Sequence, residues 1–475
     1  MPDDSAAAWR RRAEQAVREG RYADAAEAYR REAAVYRRIG DLNAARVEEA
    51  KADRWASDVR IFVQAPGARP APARALPLAK WEPPYGCYVG AFIDRDERLG
   101  PPFQDENWQS HRDPLAFARL TGKKPLSVFC YLAYGKPFPA KWVAWLRRRG
   151  VVPHIAWEPN GGPAQVQDDD YLRGFADDAA RADWPIFLRF ASEMNGNWTA
   201  YGGDPLRYKI MWGKVRRVMA ERAPNVAMVW CPNVIPEKPI PLFYPGDEHV
   251  DWIGVNFYSV PFHDNDRRRS GEHENPADEL RFLYSRYAAR KPIMICEYGA
   301  SHRSAVDRKD RPEWAALKIA QLYASLPRLY PRVKCIDIFD NDNMRYAGYG
   351  RQLNNYSVTD SAPVLDAYRE AVADDYFLSR FVSPTAPPRA PIVPLAEGAS
   401  FARGILRVSA WARSHVPRPT VTYSLGGREV FRSRTPGSYS ADLRLDRPGA
   451  HRLLALVLDD RGRVAARAER NIIVR

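Results

Sequence analysis

Two glutamates stand where chemistry would put them more readily than packing would. Glu193 lies in the string Arg189-Phe190-Ala191-Ser192-Glu193-Met194-Asn195-Gly196 and Glu297 in Cys296-Glu297-Tyr298-Gly299, each directly after an apolar run. A carboxylate that follows a hydrophobic strand is costly to bury without a partner or a purpose. One such residue is absorbed easily by an ion pair with one of the many arginines. Two of them, on separate runs, point to a reacting pair. Cleavage of a glycosidic bond needs such a pair: one carboxyl stays protonated to donate to the leaving oxygen, and the other is ionised to attack the anomeric carbon. A separation of about 5–5.5 Å gives retention of configuration, whereas a wider gap admits a water and gives inversion. Two strands facing each other across one barrel favour the shorter spacing. Arg189, beneath the site, and Tyr258, at the end of another apolar run, are placed to hydrogen-bond Glu297 and keep it ionised.

The elements that would position this pair are legible as eight apolar runs. In order they start at Tyr85, Pro125, Val151, Trp184, Val226, Val250, Lys291 and Val333, most of them followed by a loop and an amphipathic helical pattern. Continuous apolar strands alternating with helices mean a parallel sheet covered by helices. Eight of them predict a closed (β/α)8 TIM barrel over residues 81–380, an α/β fold whose active site lies at the C-terminal ends of the strands. Glu193 and Glu297 then sit at the ends of strands four and seven. Residues 1–60 are rich in Ala, Arg and Glu without an internal proline, and Trp9, Ala13, Ala16 and Val17, then Tyr22, Ala25, Ala26 and Tyr29, recur at helical spacing. They read as a helical hairpin plus a third helix, a single tetratricopeptide-like unit that packs on the main domain or pairs with another chain. Residues 61–80 and 381–394 are Pro/Ala-rich and predict linkers. The tail, 395–475, alternates apolar and polar residues between Gly, Pro and Asp turns, which predicts an immunoglobulin-like β-sandwich.

The net charge of +14 would suit an anionic partner, but its arginines are scattered in short runs such as Arg10 to Arg12 and Arg267 to Arg269, which read as solvated faces and give no nucleic-acid site. Cys87, Cys130, Cys231, Cys296 and Cys335 fall inside apolar runs without a CxxC pair, so they read as buried core thiols; no metal site and no cofactor are expected. Asp168 to Asp170 precede an amphipathic pattern and read as N-capping charge, with a calcium site as the alternative. No stretch reaches the roughly 20 apolar residues of a membrane span. The start, with Asp3, Asp4 and an Arg-rich helix, has no apolar signal core. Of the remaining polar groups, His154 reads as a satisfied core histidine and Glu158 as a support for the site.

The motifs RFASEMNGNW, WEP (Trp157 to Pro159), VWCPN (Trp230 to Asn233), DWIGVNFY and CEYGA resemble glycoside hydrolase family 26, within the clan of (β/α)8 retaining hydrolases. They cover roughly residues 85–345 in the right order. The resemblance implies that Glu193 is the acid/base and Glu297 the nucleophile. It places Arg189, Asn195, Trp198, Trp230, Asn233 and Tyr258 around the sugar at the scissile bond. Trp157, Trp198 and Trp230 divide evenly between substrate stacking and barrel-top packing, while the loop residues Trp108 and Tyr201 are better candidates for subsites. A secreted or periplasmic location is favoured by the same resemblance. Two departures bear on specificity. Ser192 stands where the family's mannanases usually carry His, and strand eight ends in Phe339-Asp340-Asn341-Asp342 where clan members often place a Trp. The expected activity is therefore an endo-acting β-glycanase on mannan, glucan, xylan or a bacterial exopolysaccharide. The alternative is a glycan-binding scaffold of an exopolysaccharide complex. Glu297→Ala is expected to abolish turnover with folding preserved.

Overall fold

The computed structural model describes the chain except residues 1–3, 65–76, 384, 386–389, 415, 417 and 435–438. The described residues form two compact units, one made of 71–271 and 276–389, the other of 1–70, 272–275 and 390–475.

The first unit is the barrel. Its strands are β1 (Cys87–Phe92), β2 (Ser127–Ala133), β3 (Val152–Glu158), β4 (Ile186–Phe190), β5 (Val226–Trp230), β6 (Trp252–Ser259), β7 (Ile293–Ala300) and β8 (Val333–Phe339). Each pairs in parallel with the next, and β8 pairs with β1, which closes the cylinder. Helices return the chain between strands, among them Asp170–Arg181 before β4, Pro205–Arg222 before β5 and Pro312–Leu329 before β8. β1, β4, β5, β7 and β8 are buried along their whole length on both faces, so these strands read as apolar runs. Asp169 caps the helix Asp170–Arg181 by accepting from the Leu172 amide at 3.0 Å. That is the capping role read from the acidic run, and no metal-binding cluster occurs among the described residues. All five cysteines are buried and unpaired.

Inside the cylinder a polar knot replaces part of the apolar fill. His154 Nδ1 lies 2.6 Å from Asp337 Oδ2, and Ser127 Oγ donates to Asp337 Oδ1 at 2.9 Å; all three residues are fully buried. His154 is thus a core histidine, as its position suggested, but satisfied at Nδ1 alone, since its buried Nε2 has no hydrogen-bond partner among the described residues. Gly90 on β1 makes room for the knot: a Cβ there would stand 1.8 Å from Asp337 Oδ1 and 2.2 Å from Ser127 Oγ. Gly90→Ala is therefore expected to cost on the order of 3 kcal/mol, because overpacking here also breaks a buried, paired charge. Chemical unfolding checks this, and a loss below about 0.5 kcal/mol, the usual size of a surface substitution, would mean the barrel relaxes around the methyl.

The second unit corrects the expected boundaries. Its helices α1 (Ala6–Arg18), α2 (Tyr22–Arg38) and α3 (Leu42–Trp55) pack through Ala13, Ala28, Tyr29 and Ala52. Residues 61–80 were expected to be linker from their first residue, yet Asp58–Gln64 is a strand. It lies between Ile392–Pro394 and Gly404–Arg413 in a four-stranded sheet whose other edge is Tyr439–Leu445. Val59, Ile61 and Val63 point into a core shared with Val408, Tyr423, Leu453 and Ile472. A five-stranded sheet with Gly449–Leu458 and Val464–Val474 at its centre forms the other layer. The sandwich is thus not made from 395–475 alone, since a segment before the barrel and Ile392–Pro394, inside the second expected linker, supply strands. The rest of the linker reading falls partly on 65–76, 384 and 386–389, outside the described residues.

Candidate active site

The chain after β4 does not leave the barrel smoothly. Ala191 and Glu193 have φ of 47° and 57°, a left-handed conformation uncommon for side chains of this kind and one that clusters at functional sites. The Glu193 amide donates to the Cys231 carbonyl at 2.7 Å, which ties the turn to the end of β5. Gly196 completes the turn: a Cβ there would fall 2.4 Å from the Trp198 ring, so only glycine lets the indole lie back over the loop.

Glu193 accepts three hydrogen bonds: Asn256 Nδ2 and Asn233 Nδ2 donate to Oε1 at 2.9 and 3.1 Å, and Trp198 Nε1 donates to Oε2 at 2.7 Å. Glu297 also faces three donors. Tyr131 donates to Oε1 at 2.7 Å, Arg189 Nη2 is 2.6 Å from the same oxygen, and the Tyr258 hydroxyl donates to Oε2. Burial, followed by the charge of Glu297, pushes the Tyr258 phenol well above its ordinary range, so it remains a donor. Arg189 is fully buried at the end of β4, with its guanidinium over the Phe129 ring. It also donates to Asn256 Oδ1 at 3.1 Å. A chain of contacts, Glu297 to Arg189 to Asn256 to Glu193, thus joins the two strand-end carboxyls. Both line a single cleft of about 830 Å³ at the C-terminal ends of the strands.

Glu158, at the end of β3, lies in the same cleft. Ser192 reaches it with both its hydroxyl, at 2.7 Å, and its amide, at 3.1 Å. The Tyr201 hydroxyl touches both Glu158 Oε2 and the Ser192 carbonyl, the latter at 2.7 Å. One phenolic hydrogen cannot serve two acceptors. A protonated Glu158 that donates to Tyr201, while Tyr201 donates to the carbonyl, satisfies all three, and burial pushes the Glu158 carboxyl in that direction.

The structure does not bring all of the expected site residues to the cleft. Tyr201 and Trp198 line it, and Asn233 and Arg189 touch the glutamates. Trp157 is fully buried and stacks on Phe175 with ring centroids 4.0 Å apart, facing the helix layer. Trp230 is equally buried, edge-on to Tyr244 and Tyr287. Neither can reach a ligand, because each lies on the outward face of its strand. Asn195 is buried too, donating to the Asn233 and Pro236 carbonyls and accepting from the Asn233 amide, so it braces a loop. Trp108 is 87% exposed and does not line the cleft, although its neighbour Gln109 does. Conversely, Asn256 and Tyr131 were missed. Asn256 stands two residues before Tyr258 and so shares its face of β6, which is the one sequence signal that marks it.

The end of β8 holds a buried acid pair in place of an aromatic floor. Asp340 Oδ1 accepts from Ser357 Oγ at 2.9 Å and from the Val358 amide at 2.7 Å, its Oδ2 has no other hydrogen-bond donor among the described residues, and the carboxyl feels the charge of Asp96. Desolvation, followed by the Asp96 charge, pushes Asp340 up to about 8 from an ordinary 3.8. Between those values the folded chain keeps a proton that the unfolded chain has released, so stability falls as pH rises through that interval. Asp340→Asn keeps the Oδ1 acceptor and turns a permanent donor towards Asp96. It is expected to unfold at a higher temperature than the parent at about pH 9, with the advantage shrinking by about pH 5. A variant less stable than the parent at both pH values would dismiss the retained proton.

A model of glycosyl hydrolase family 26 matches residues 170–270, the segment that carries Arg189, Glu193, Asn233, Asn256 and Tyr258. Over 82 residues the chain is 30% identical to the beta-1,3-xylanase TXYA of a Vibrio species, covering 16% of this chain and 17% of that protein. It is 28% identical over 82 residues to a beta-1,3-xylanase of an Alcaligenes species, with the same coverage of 16% and 17%. The chain thus spans about a sixth (17%) of the length of the curated relatives it matches. Among solved structures, a modular endo-beta-1,4-mannanase from Cellulomonas fimi is 15% identical, with a TM-score of 0.45 over 84% of this chain and 100% of that one. The resemblance read from the strand-end motifs is met by the family model over residues 170–270, the stretch that carries Glu193, and that stretch is similar to glycosyl hydrolase family 26.

Proposed function

We propose that the chain is a retaining endo-β-glycanase in which Glu297 attacks the anomeric carbon and Glu193 serves as general acid and then general base. The observation that carries this reading is the linkage of the two strand-end carboxyls through Arg189 and Asn256 on the floor of one cleft. Glu297 accepts from the Tyr131 and Tyr258 hydroxyls and lies 2.6 Å from the permanently charged Arg189 guanidinium, surroundings that suit the carboxylate form a nucleophile needs. Glu193 Oε1 is held by two asparagine amides, which leaves Oε2 to protonate the leaving oxygen once the half-exposed Trp198 indole moves aside. Attack forms a glycosyl–Glu297 ester and releases the leaving sugar as the alcohol. Glu193, now ionised, takes a proton from water, and that water releases the second sugar with the anomeric configuration restored. Donors arranged around both carboxyls fit a reaction site, whereas a purely glycan-binding scaffold has no need of them.

The family match favours a β-linked polysaccharide, and the similarity to beta-1,3-xylanases makes β-1,3-xylan the first polymer to test. Mannan, mixed-linkage glucan, β-1,3-xylan and bacterial exopolysaccharides should be incubated with the chain, and reducing ends, product lengths and the first-formed anomer followed. A β-anomer appearing first on at least one polymer is the expected result. An α-anomer, or no cleavage of any polymer, would overturn the assignment.

A further inference from the structure

The charge in the cleft is unevenly placed. Glu158, Glu193 and Glu297 rise from β3, β4 and β7, and every one of them is engaged by donors. Arg95, just after β1, and Arg351, in the loop after β8, line the same cleft and are exposed. Since β8 pairs with β1 to close the barrel, both arginines belong to one sector of the rim. Among the described residues neither guanidinium has a carboxylate partner, whereas the nearby Arg98 and Arg345 are paired with Asp96 and Glu97. Tyr349, two residues before Arg351, is fully exposed and offers a ring face of the kind sugars stack on.

We infer that this sector is a subsite for a sugar ring bearing a carboxylate, so that the substrate is an acidic β-linked glycan. The inference rests on the glycan-cleaving reading and names its polymer class. Two guanidinium groups without a carboxylate partner leave this sector of the cleft positively charged, and a bound carboxylate supplies the missing counter-charge. A guanidinium also meets a carboxylate as a planar, two-pronged donor. A carboxylate is favoured at the arginine sector and disfavoured directly over the glutamates, so a chain in which uronate and neutral sugars alternate suits the cleft best and an all-uronate chain less well. The net charge of +14 on the chain draws such a polyanion towards the rim at low salt. Were the arginines only solvated surface groups, neutral and acidic chains would bind alike.

Binding can be measured without cleavage in a Glu193→Gln background. The probes are oligosaccharides of three backbones, each in neutral and C6-carboxylate form: β-1,4-glucan and β-1,4-glucuronan, β-1,4-mannan and β-1,4-mannuronan, and carboxyl-reduced and native hyaluronan. At least one carboxylate form should bind about tenfold more tightly than its neutral counterpart at low salt, the size of effect that charge-assisted hydrogen bonds give. That advantage should vanish in Arg95→Gln/Arg351→Gln and fade at about 0.5 M salt, where screening is strong. The inference is overturned if no carboxylate form is preferred, if none of the probes binds, or if the preference survives in the double arginine variant. Cleavage of the same probes by the unaltered chain is followed separately. An acidic chain bound through the arginines but never cut would sink the hydrolase reading and leave the subsite standing.

Discussion

Glu297→Gln is expected to lower turnover on any responsive polysaccharide by roughly 10⁴-fold or more, the scale of loss when a covalent nucleophile is removed. The variant should fold, because the amide keeps the shape and an oxygen for Tyr131 and Arg189, although it removes the charge opposite Arg189 and so lowers the unfolding midpoint somewhat. Alanine is a different experiment. Arg189 is fully buried, and Glu297 is its one ionic partner among the described residues. Removing one member of a buried ion pair typically costs about 3–5 kcal/mol, because the other charge is left uncompensated. The expectation that Glu297→Ala would lose activity with folding preserved is thus amended: the alanine variant should show a lowered unfolding midpoint in denaturant, below that of the glutamine variant, which also loses the charge but keeps the volume and a neutral acceptor for Arg189. Turnover of Glu297→Gln within tenfold of the parent, on folded protein, would remove Glu297 from the nucleophile's role.

The two glutamates were legible in the sequence because each breaks an apolar run at its end, and a strand end in a parallel barrel has one functional meaning. What surrounds them was legible only in part, for a physical reason. Strands buried on both faces carry no alternation that tells inward from outward positions. Trp157 and Trp230 therefore looked as eligible as Tyr258, although they turn outward to Phe175 and to Tyr244 and Tyr287, while Tyr258 turns inward to Glu297. Asn256 and Tyr131 escaped notice within strands that otherwise read as packing. The strand Asp58–Gln64 shows another limit. Its alternation is local, but its partners Ile392–Pro394 and Gly404–Arg413 lie beyond the whole barrel in sequence, and nothing in a short run announces so distant a pairing. Strand count and order, by contrast, follow from the even spacing of eight apolar runs, which the closed β1 to β8 sheet reproduces.

Glu193→Ala should behave differently from the nucleophile variants in stability and in chemistry. The groups that address Glu193 are two neutral amides and an indole at the open side of the cleft, so deleting it strands no buried charge. Asn256 keeps its bond from Arg189, which holds the Glu297 side of the site in order. On polysaccharide, where the leaving sugar is a poor leaving group, loss of proton donation should slow cleavage by about 10²–10⁴-fold. On a dinitrophenyl glycoside the phenolate departs unassisted, so Glu297 still forms its ester, and hydrolysis then stalls for want of a base to activate water. Azide needs no deprotonation. Entering the space left by the carboxylate, it should attack the ester, release Glu297 and give a β-glycosyl azide with the rate restored in proportion to azide concentration. An α-glycosyl azide would mean direct displacement without the ester, and near-normal hydrolysis of polysaccharide by the variant would remove Glu193 from acid/base catalysis. Because the ester forms only if Glu297 reaches the anomeric carbon, β-azide from the Glu193 variant also tests whether carboxyls from β4 and β7 act on the same carbon.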